Sequence, residues 1–93
     1  MDRAGFESLL SSLDADRGRA GERYEMLRLR LQRFFLARGH RAPEDLADET
    51  LDRVARRLSQ GERLRGGDAA SYTLGVARNV GREDWARSRR TKR

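Results

Sequence analysis

The sequence contains no cysteine and a single histidine, His40, among its 93 residues. Without thiols, neither a disulfide framework nor a thiolate metal site can form. A zinc site would have to take most of its ligands from carboxylates, which is unusual, and nucleophilic catalysis has few candidate groups. His40 follows a predicted helix end, so we expect it at the surface and without a role. We therefore predict no catalytic residues, no metal, no cofactor and no enzymatic activity.

Long apolar runs and glycine-rich phosphate loops are also missing. No stretch of about 18 apolar residues could span a membrane, and no apolar segment typical of a secretory signal follows the N-terminus. Gly75 and Gly81 stand inside a helix-like pattern and do not form a Walker sequence. We expect a soluble, cytoplasmic chain that folds as one domain over residues 1–93, without a membrane partner.

What the chain has in abundance is arginine, which supplies 20 of the 21 basic residues against 15 acidic ones. The charges are distributed unevenly along the sequence. Residues 42–52 hold five acids and no base, whereas residues 69–93 hold seven bases and two acids, a net charge of 7 − 2 = +5. Arginine suits phosphate groups and stacks on rings, although a GC-rich genome produces the same bias. The segregation of charge is therefore more informative than the composition.

The spacing of apolar residues predicts an all-α bundle of three main helices and a short N-terminal helix, and no run alternates at period two as a sheet would require. Residues 2–14 place apolar side chains on one face, and the two glycines between Asp14 and Gly21 predict a break. Residues 22–38 are apolar on two sides, so we expect a central helix packed between neighbours.

Short signals predict where the later helices begin and end. Gly39 suits the end of the helix over residues 22–38, and Pro43 suits the first turn of the next one. The glycines between Gln60 and Asp68 predict a loop, and Asp68 is a plausible N-cap for the last helix. We expect the basic tail from about Arg89 to fray in solution.

The last helix, wound at about 100° per residue, divides into two faces. Thr73, Val76, Ala77 and Val80 fall on an arc that suits a core. Another stripe combines cations with the chain's single tryptophan: Arg78, Arg82, Trp85 and Arg89. Cations bind phosphates and a flat ring stacks on an unpaired base, so this stripe is typical of a nucleic-acid surface. A solvated helix that contributes Trp85 to the core is the alternative.

The preceding helix carries Asp45, Asp48, Glu49 and Asp52 on its outer arc, at i, i+3, i+4 and i+7. Such a face is often merely solvated, and its acids repel one another slightly. It could also dock on a basic partner. A magnesium site is not expected, because no second element converges on these acids.

Three stretches together resemble the region 2 domain of extracytoplasmic-function (ECF) sigma factors, within the sigma-70 family of RNA polymerase sigma factors. They are residues 43–51 (PEDLADETL), residues 72–80 with the Val76-Ala77-Arg78-Asn79 motif, and residues 83–87 (EDWAR). The sequence has Asp48 where many relatives have glutamine, and Leu51 where many have phenylalanine. A tryptophan common near Tyr72 is missing, and no sequence remains after the tail for region 4.

The resemblance implies transcription initiation as part of RNA polymerase holoenzyme, without catalysis by this domain. The acidic helix would bind the coiled coil of the core polymerase β′ clamp, and the basic helix would recognise and melt the promoter −10 element on the single-stranded non-template strand. An anti-sigma factor is a further candidate partner. The implied polymerase contacts are Asp45, Leu46, Asp48, Glu49 and Asp52. The implied DNA contacts are Tyr72, Arg78, Asn79, Arg82, Trp85, Arg89 and Arg90.

Two other functions stay open at this point. The chain could be a nucleic-acid-binding domain that does not involve polymerase, in which case it would bind duplex at least as well as single strands. It could also be an interaction module that occupies the clamp without opening promoters, and such a module would not need Trp85 or Asn79.

Overall fold

The computed structural model describes residues 1–62 and 69–91, with side chains up to Arg90. The helices are α1 (Arg3–Leu13), α2 (Arg17–Ala37), α3 (Pro43–Ser59) and α4 (Ala69–Thr91). The predicted all-α bundle with a short N-terminal helix is confirmed, and no strand occurs in the part of the chain that the model describes. Most of the loop predicted after Gln60, and the N-cap predicted at Asp68, lie outside the described residues.

Aspartate side chains cap the first two helices. The backbone N–H of Gly5 donates to Asp2 Oδ1 at 2.7 Å, and that of Arg19 donates to Asp16 Oδ1 at 2.9 Å. The predicted break between helices, from Asp14 to Gly21, is longer than the observed one, because α2 already begins at Arg17. An aspartate N-cap contributes about 1 kcal/mol, which offsets much of what a helical glycine costs.

Helix α2 ends as its sequence predicts. Gly39 adopts the left-handed conformation, with φ 81°. The backbone N–H of His40 then bonds back to the carbonyl of Phe35 at 3.1 Å. Such a C-terminal turn satisfies carbonyls that the helix leaves unpaired, and glycine adopts it without a Cβ penalty. It also directs His40 inwards, toward the α2 residues just passed.

We expected α2 to pack against neighbours on two sides, and this prediction is wrong for one of them. Leu27, Leu31 and Phe35 are buried, but three apolar residues of the opposite side are exposed: Met26 by 72%, Leu29 by 46% and Leu36 by 65%. Helices α1, α3 and α4 all contact α2, yet none covers this side. The apolar pattern identifies which residues are apolar, but only the arrangement of neighbours determines which are buried.

Helix α3 is the more deeply buried of the two central helices. It contributes six buried residues against four from α2, and it contacts α1, α2 and α4. Its buried face is Leu46, Ala47, Thr50, Leu51, Val54 and Ala55. Thr50 is accommodated because its hydroxyl donates to the carbonyl of Leu46 at 2.7 Å, which satisfies a polar group in the core.

The two glycines inside α4 provide a matched pair for a stability test. A Cβ at exposed Gly75 would meet nothing within 4 Å, whereas one at Gly81 would lie 3.3 Å from Nε2 of His40. Alanine gains about 1 kcal/mol over glycine inside a helix. We expect Gly75→Ala to raise the free energy of unfolding by up to that amount.

The free energy of unfolding of Gly81→Ala is expected to lie at least about 1 kcal/mol below that of Gly75→Ala, because the added methyl must displace a buried ring. Urea titrations followed by circular dichroism would measure both variants. Equal gains would show that the contact between α4 and His40 is not close.

Candidate nucleic-acid interface and acidic surface

Helix α4 presents the predicted stripe of cations to solvent. The core arc is buried, with Thr73, Val76, Ala77 and Val80 all at most 3% exposed. We call the four side chains of the opposite stripe the α4 basic stripe: Arg78, Arg82, Trp85 and Arg89. All four are exposed, and the indole of Trp85 is 42% exposed. Trp85 is therefore not enclosed in the core, although one side of its ring contacts buried His40.

The acids of α4 do not neutralise this stripe, because other residues engage them. Glu83 accepts two hydrogen bonds, 2.8 and 2.6 Å long, from the guanidinium of Arg53 on α3. These bonds hold the pKa of Glu83 below its ordinary value. Asp84 lies 2.6 Å from a ring nitrogen of His40 and 3.7 Å from Arg87.

The cations of the stripe have much less to pair with. Arg78, Arg89 and Arg90 form no ion pair with any residue that the model describes. Arg82 donates to Asn79 Oδ1 at 3.2 Å. That bond orients the exposed amide of Asn79 and leaves its nitrogen to donate to another group. Positive charge, an amide and an indole therefore coexist on one exposed helix face.

The structure adds detail at three of the predicted DNA-contacting positions, Arg89, Arg90 and Tyr72. Helix α4 continues to Thr91, so Arg89 and Arg90 are helical, and fraying of the tail in solution stays a prediction. Tyr72 is half-buried, and its hydroxyl donates to Glu62 at 2.7 Å. It lies about 20 Å from Trp85 along the helix. The model thus gives Tyr72 a structural contact at the opposite end of α4.

His40 is the residue that the sequence analysis missed. It is 4% exposed, so the expectation of a surface histidine is wrong. Its ring lies against Trp85 with centroids 4.5 Å apart and an interplanar angle of 32°. The contact with Asp84 spans 44 residues of sequence, and no local pattern predicts it. The one available signal is Gly39, whose left-handed turn directs the next side chain inwards.

Four acidic residues of α3 line one open depression together with Met1 and Tyr24. Asp45, Asp48 and Glu49 are exposed, and Asp52 is half-buried. Leu46, which the family resemblance adds to this surface, is only 5% exposed and packs in the core. Leu46 is therefore not available on the surface, because its register on α3 turns it inwards.

Most of these acids already have a basic neighbour. Asp48 pairs with Arg28 at 2.9 Å and Glu49 with Arg53 at 3.0 Å. Asp52 lies 2.9 Å from the amino group of Met1 and 3.3 Å from Arg56. Asp45 alone of the four forms no ion pair with a described residue. The charge of this surface is thus largely balanced, with Asp45 as its uncompensated position.

Metal-binding clusters and membrane-spanning helices are both absent from the described residues. No group of three or more histidine, cysteine, aspartate or glutamate residues within 1–62 and 69–91 could hold a metal ion. No helix in those ranges has the length and apolar character needed to cross a membrane.

Comparison with known proteins adds no relative: no family model, curated protein or solved structure matches this chain.

Proposed function

We propose that this domain acts as a sigma-factor region 2: it binds core RNA polymerase through α3 and opens promoter DNA at the −10 element through α4. The observation that carries the proposal is the uncompensated α4 basic stripe around an exposed indole. The acidic surface of α3 supports the binding of core polymerase. The family resemblance of residues 43–51, 72–80 and 83–87 supplies the identity of the two partners.

The α4 basic stripe has the groups that binding of an unwound strand requires. Arg78, Arg82 and Arg89 are exposed, so their guanidinium groups are available to bind phosphates. The indole of Trp85 offers a platform for one base, and such stacking contributes about 1–3 kcal/mol per base. The amide of Asn79, held by Arg82, can donate to a base edge. The stripe therefore serves single strands better than duplex, in which bases are not free to stack.

The acidic surface has the chemistry for a basic coiled coil, with Asp45 as the position free to form a new ion pair. Binding through Asp48 or Glu49 requires the partner's cations to share or replace Arg28 or Arg53. Exchanges of this kind contribute less to affinity than to orientation and association rate. We therefore assign the largest share of the polar contact to Asp45.

The internal pairing of those same acids favours one competing function. If the acidic surface is inert, the chain is a nucleic-acid-binding domain that acts without polymerase. That protein would bind duplex and single strands alike, and its affinity for both would fall with salt in parallel.

Reconstitution with core RNA polymerase tests the proposal directly. Promoter fragments that carry 2-aminopurine in the −10 region report unstacking as a rise in fluorescence. We expect the rise only when the chain, core polymerase and promoter DNA are all present. Fluorescence that rises without polymerase would favour the plain nucleic-acid binder. Polymerase binding without any rise, on every promoter tried, would favour an interaction module that occupies the clamp.

A further inference from the structure

One buried polar group has no part in either surface. The His40 side chain is 1% exposed, and its Nδ1 lies 2.6 Å from Oδ2 of Asp84. Its Nε2 is buried and has no hydrogen-bond partner among the described residues. Because the carboxylate of Asp84 can only accept, the proton of that bond resides on Nδ1. The bond to Asp84 orients the ring so that its Nε2 edge lies next to Gly81.

Three neighbours hold the imidazole in place. The ring of Phe35 meets it edge-on, with centroids 5.4 Å apart and an interplanar angle of 84°. Gly81 lies next to Nε2, and a Cβ added to Gly81 would be 3.3 Å from that nitrogen. Trp85 covers a further side at 4.5 Å. The imidazole of His40 therefore lies between the ring of the core residue Phe35 and the exposed indole.

We propose that His40 is the positioning residue for Trp85: it backs one face of the indole and leaves the opposite face to a single unpaired base. This inference rests on the proposed function, because it concerns how the α4 basic stripe binds single-stranded DNA. An unsupported tryptophan on a helix surface exchanges among rotamers, and a ligand must then supply the entropy of ordering it. Stacking on a ring that is itself fixed by Asp84 and Phe35 removes that cost before DNA arrives.

The chain contains one tryptophan, so its fluorescence reports this contact without interference and without DNA. In His40→Ala we expect a red-shifted emission and a lower anisotropy, because the indole becomes more hydrated and more mobile. His40→Phe retains a flat ring against the indole but loses the bond to Asp84, so both signals should lie between those of His40→Ala and those of the parent chain. Circular dichroism establishes that each variant is folded. An unchanged spectrum in folded His40→Ala would overturn the proposal.

Binding of a labelled oligothymidine measures the functional consequence. We expect His40→Ala to weaken binding about three- to tenfold, the cost of ordering one large side chain, and His40→Phe to stay within about twofold of the parent chain. In a Trp85→Ala background, His40→Ala should cause no further loss of affinity for the oligothymidine, because His40 acts only through the indole. A further loss in that background would show that His40 supports the fold or DNA binding by another route.

These outcomes separate the positioning role from the proposed function. If Trp85→Ala binds oligothymidine as well as the parent chain does, the proposed function fails at this residue. The fluorescence of His40→Ala then still decides whether the imidazole holds the indole. If Trp85→Ala is impaired while folded His40→Ala is not, the function stands and the positioning role is wrong. Should His40→Ala not fold, His40→Asn, which can still donate to Asp84 but lacks the ring area, takes its place.

Discussion

Replacing Trp85 with alanine is expected to weaken binding of single-stranded oligothymidine by a factor between roughly 5 and 150, which corresponds to the loss of one stacked base. The indole is 42% exposed on the α4 basic stripe, so it can cover a base without any rearrangement of the core. Fluorescence anisotropy of the labelled strand, measured at one fixed salt concentration, gives the two dissociation constants. Affinity for core polymerase should not change, because Trp85 lies on a different helix from the acidic surface.

Two variants control for the removal of a large apolar side chain. Met26→Ala removes one from the exposed side of α2, where the side chain is 72% exposed, and should leave DNA binding unchanged. Trp85→Phe retains a smaller ring, so its affinity for the strand should lie between the affinities of the parent chain and Trp85→Ala. If Trp85→Ala and Met26→Ala bind the strand equally well, the indole is not a base platform. If duplex binding falls as much as single-strand binding, the preference for unwound DNA is wrong.

Reversing the charge of Asp45 is expected to weaken binding to core polymerase by at least about tenfold, because like charges facing each other across an interface cost several kcal/mol. Asp45 is the informative position because it forms no ion pair with a described residue. Changes at Asp48 or Glu49 would also disrupt the pairs with Arg28 and Arg53. Labelled Asp45→Lys would be titrated with core enzyme at low and high salt. The difference from the parent chain should shrink as salt screens the contact.

Glu44→Lys is the matched control for this variant. Both residues are exposed acids in the first turn of α3, so both reversals carry the same unfavourable interaction with the helix dipole. Glu44 lies about 100° away around the helix and is not one of the acids that line the depression. We expect its polymerase affinity to stay near that of the parent chain. Equal losses in the two variants would indicate a non-specific charge effect, and no loss in either would make the acidic surface inert.

The helices and their buried faces could be predicted from sequence wherever the amphipathic pattern is local to one helix. The four helices, the turn at Gly39 and the start of α3 at Pro43 all follow from residues close together in the chain, because caps and helical periodicity are local properties. The division of α4 into a buried arc and the α4 basic stripe follows for the same reason. Around a regular helix, the 100° rotation per residue assigns every side chain to a face once the core side is known.

Relations between helices could not be predicted in this way. Met26 and Leu29 are as apolar as the core residues of α2, but they are exposed because no neighbour within residues 1–62 and 69–91 covers that side. Leu46 lies among acidic residues in the sequence, yet its register on α3 buries it. The partners of Asp48 and Glu83 are also set by packing, since Arg28 and Arg53 reach them from other helices.

The sequence by itself determined the helical class of this protein, the separation of acidic from basic segments and the cations that surround the single tryptophan, because these depend on residue type and on spacing within one helix. Only the tertiary structure decided which charges stay uncompensated and what supports the indole. His40 contacts Asp84 and Trp85 because the turn after α2 packs against α4. A contact between residues 44 positions apart cannot be predicted from the spacing of residues within one helix.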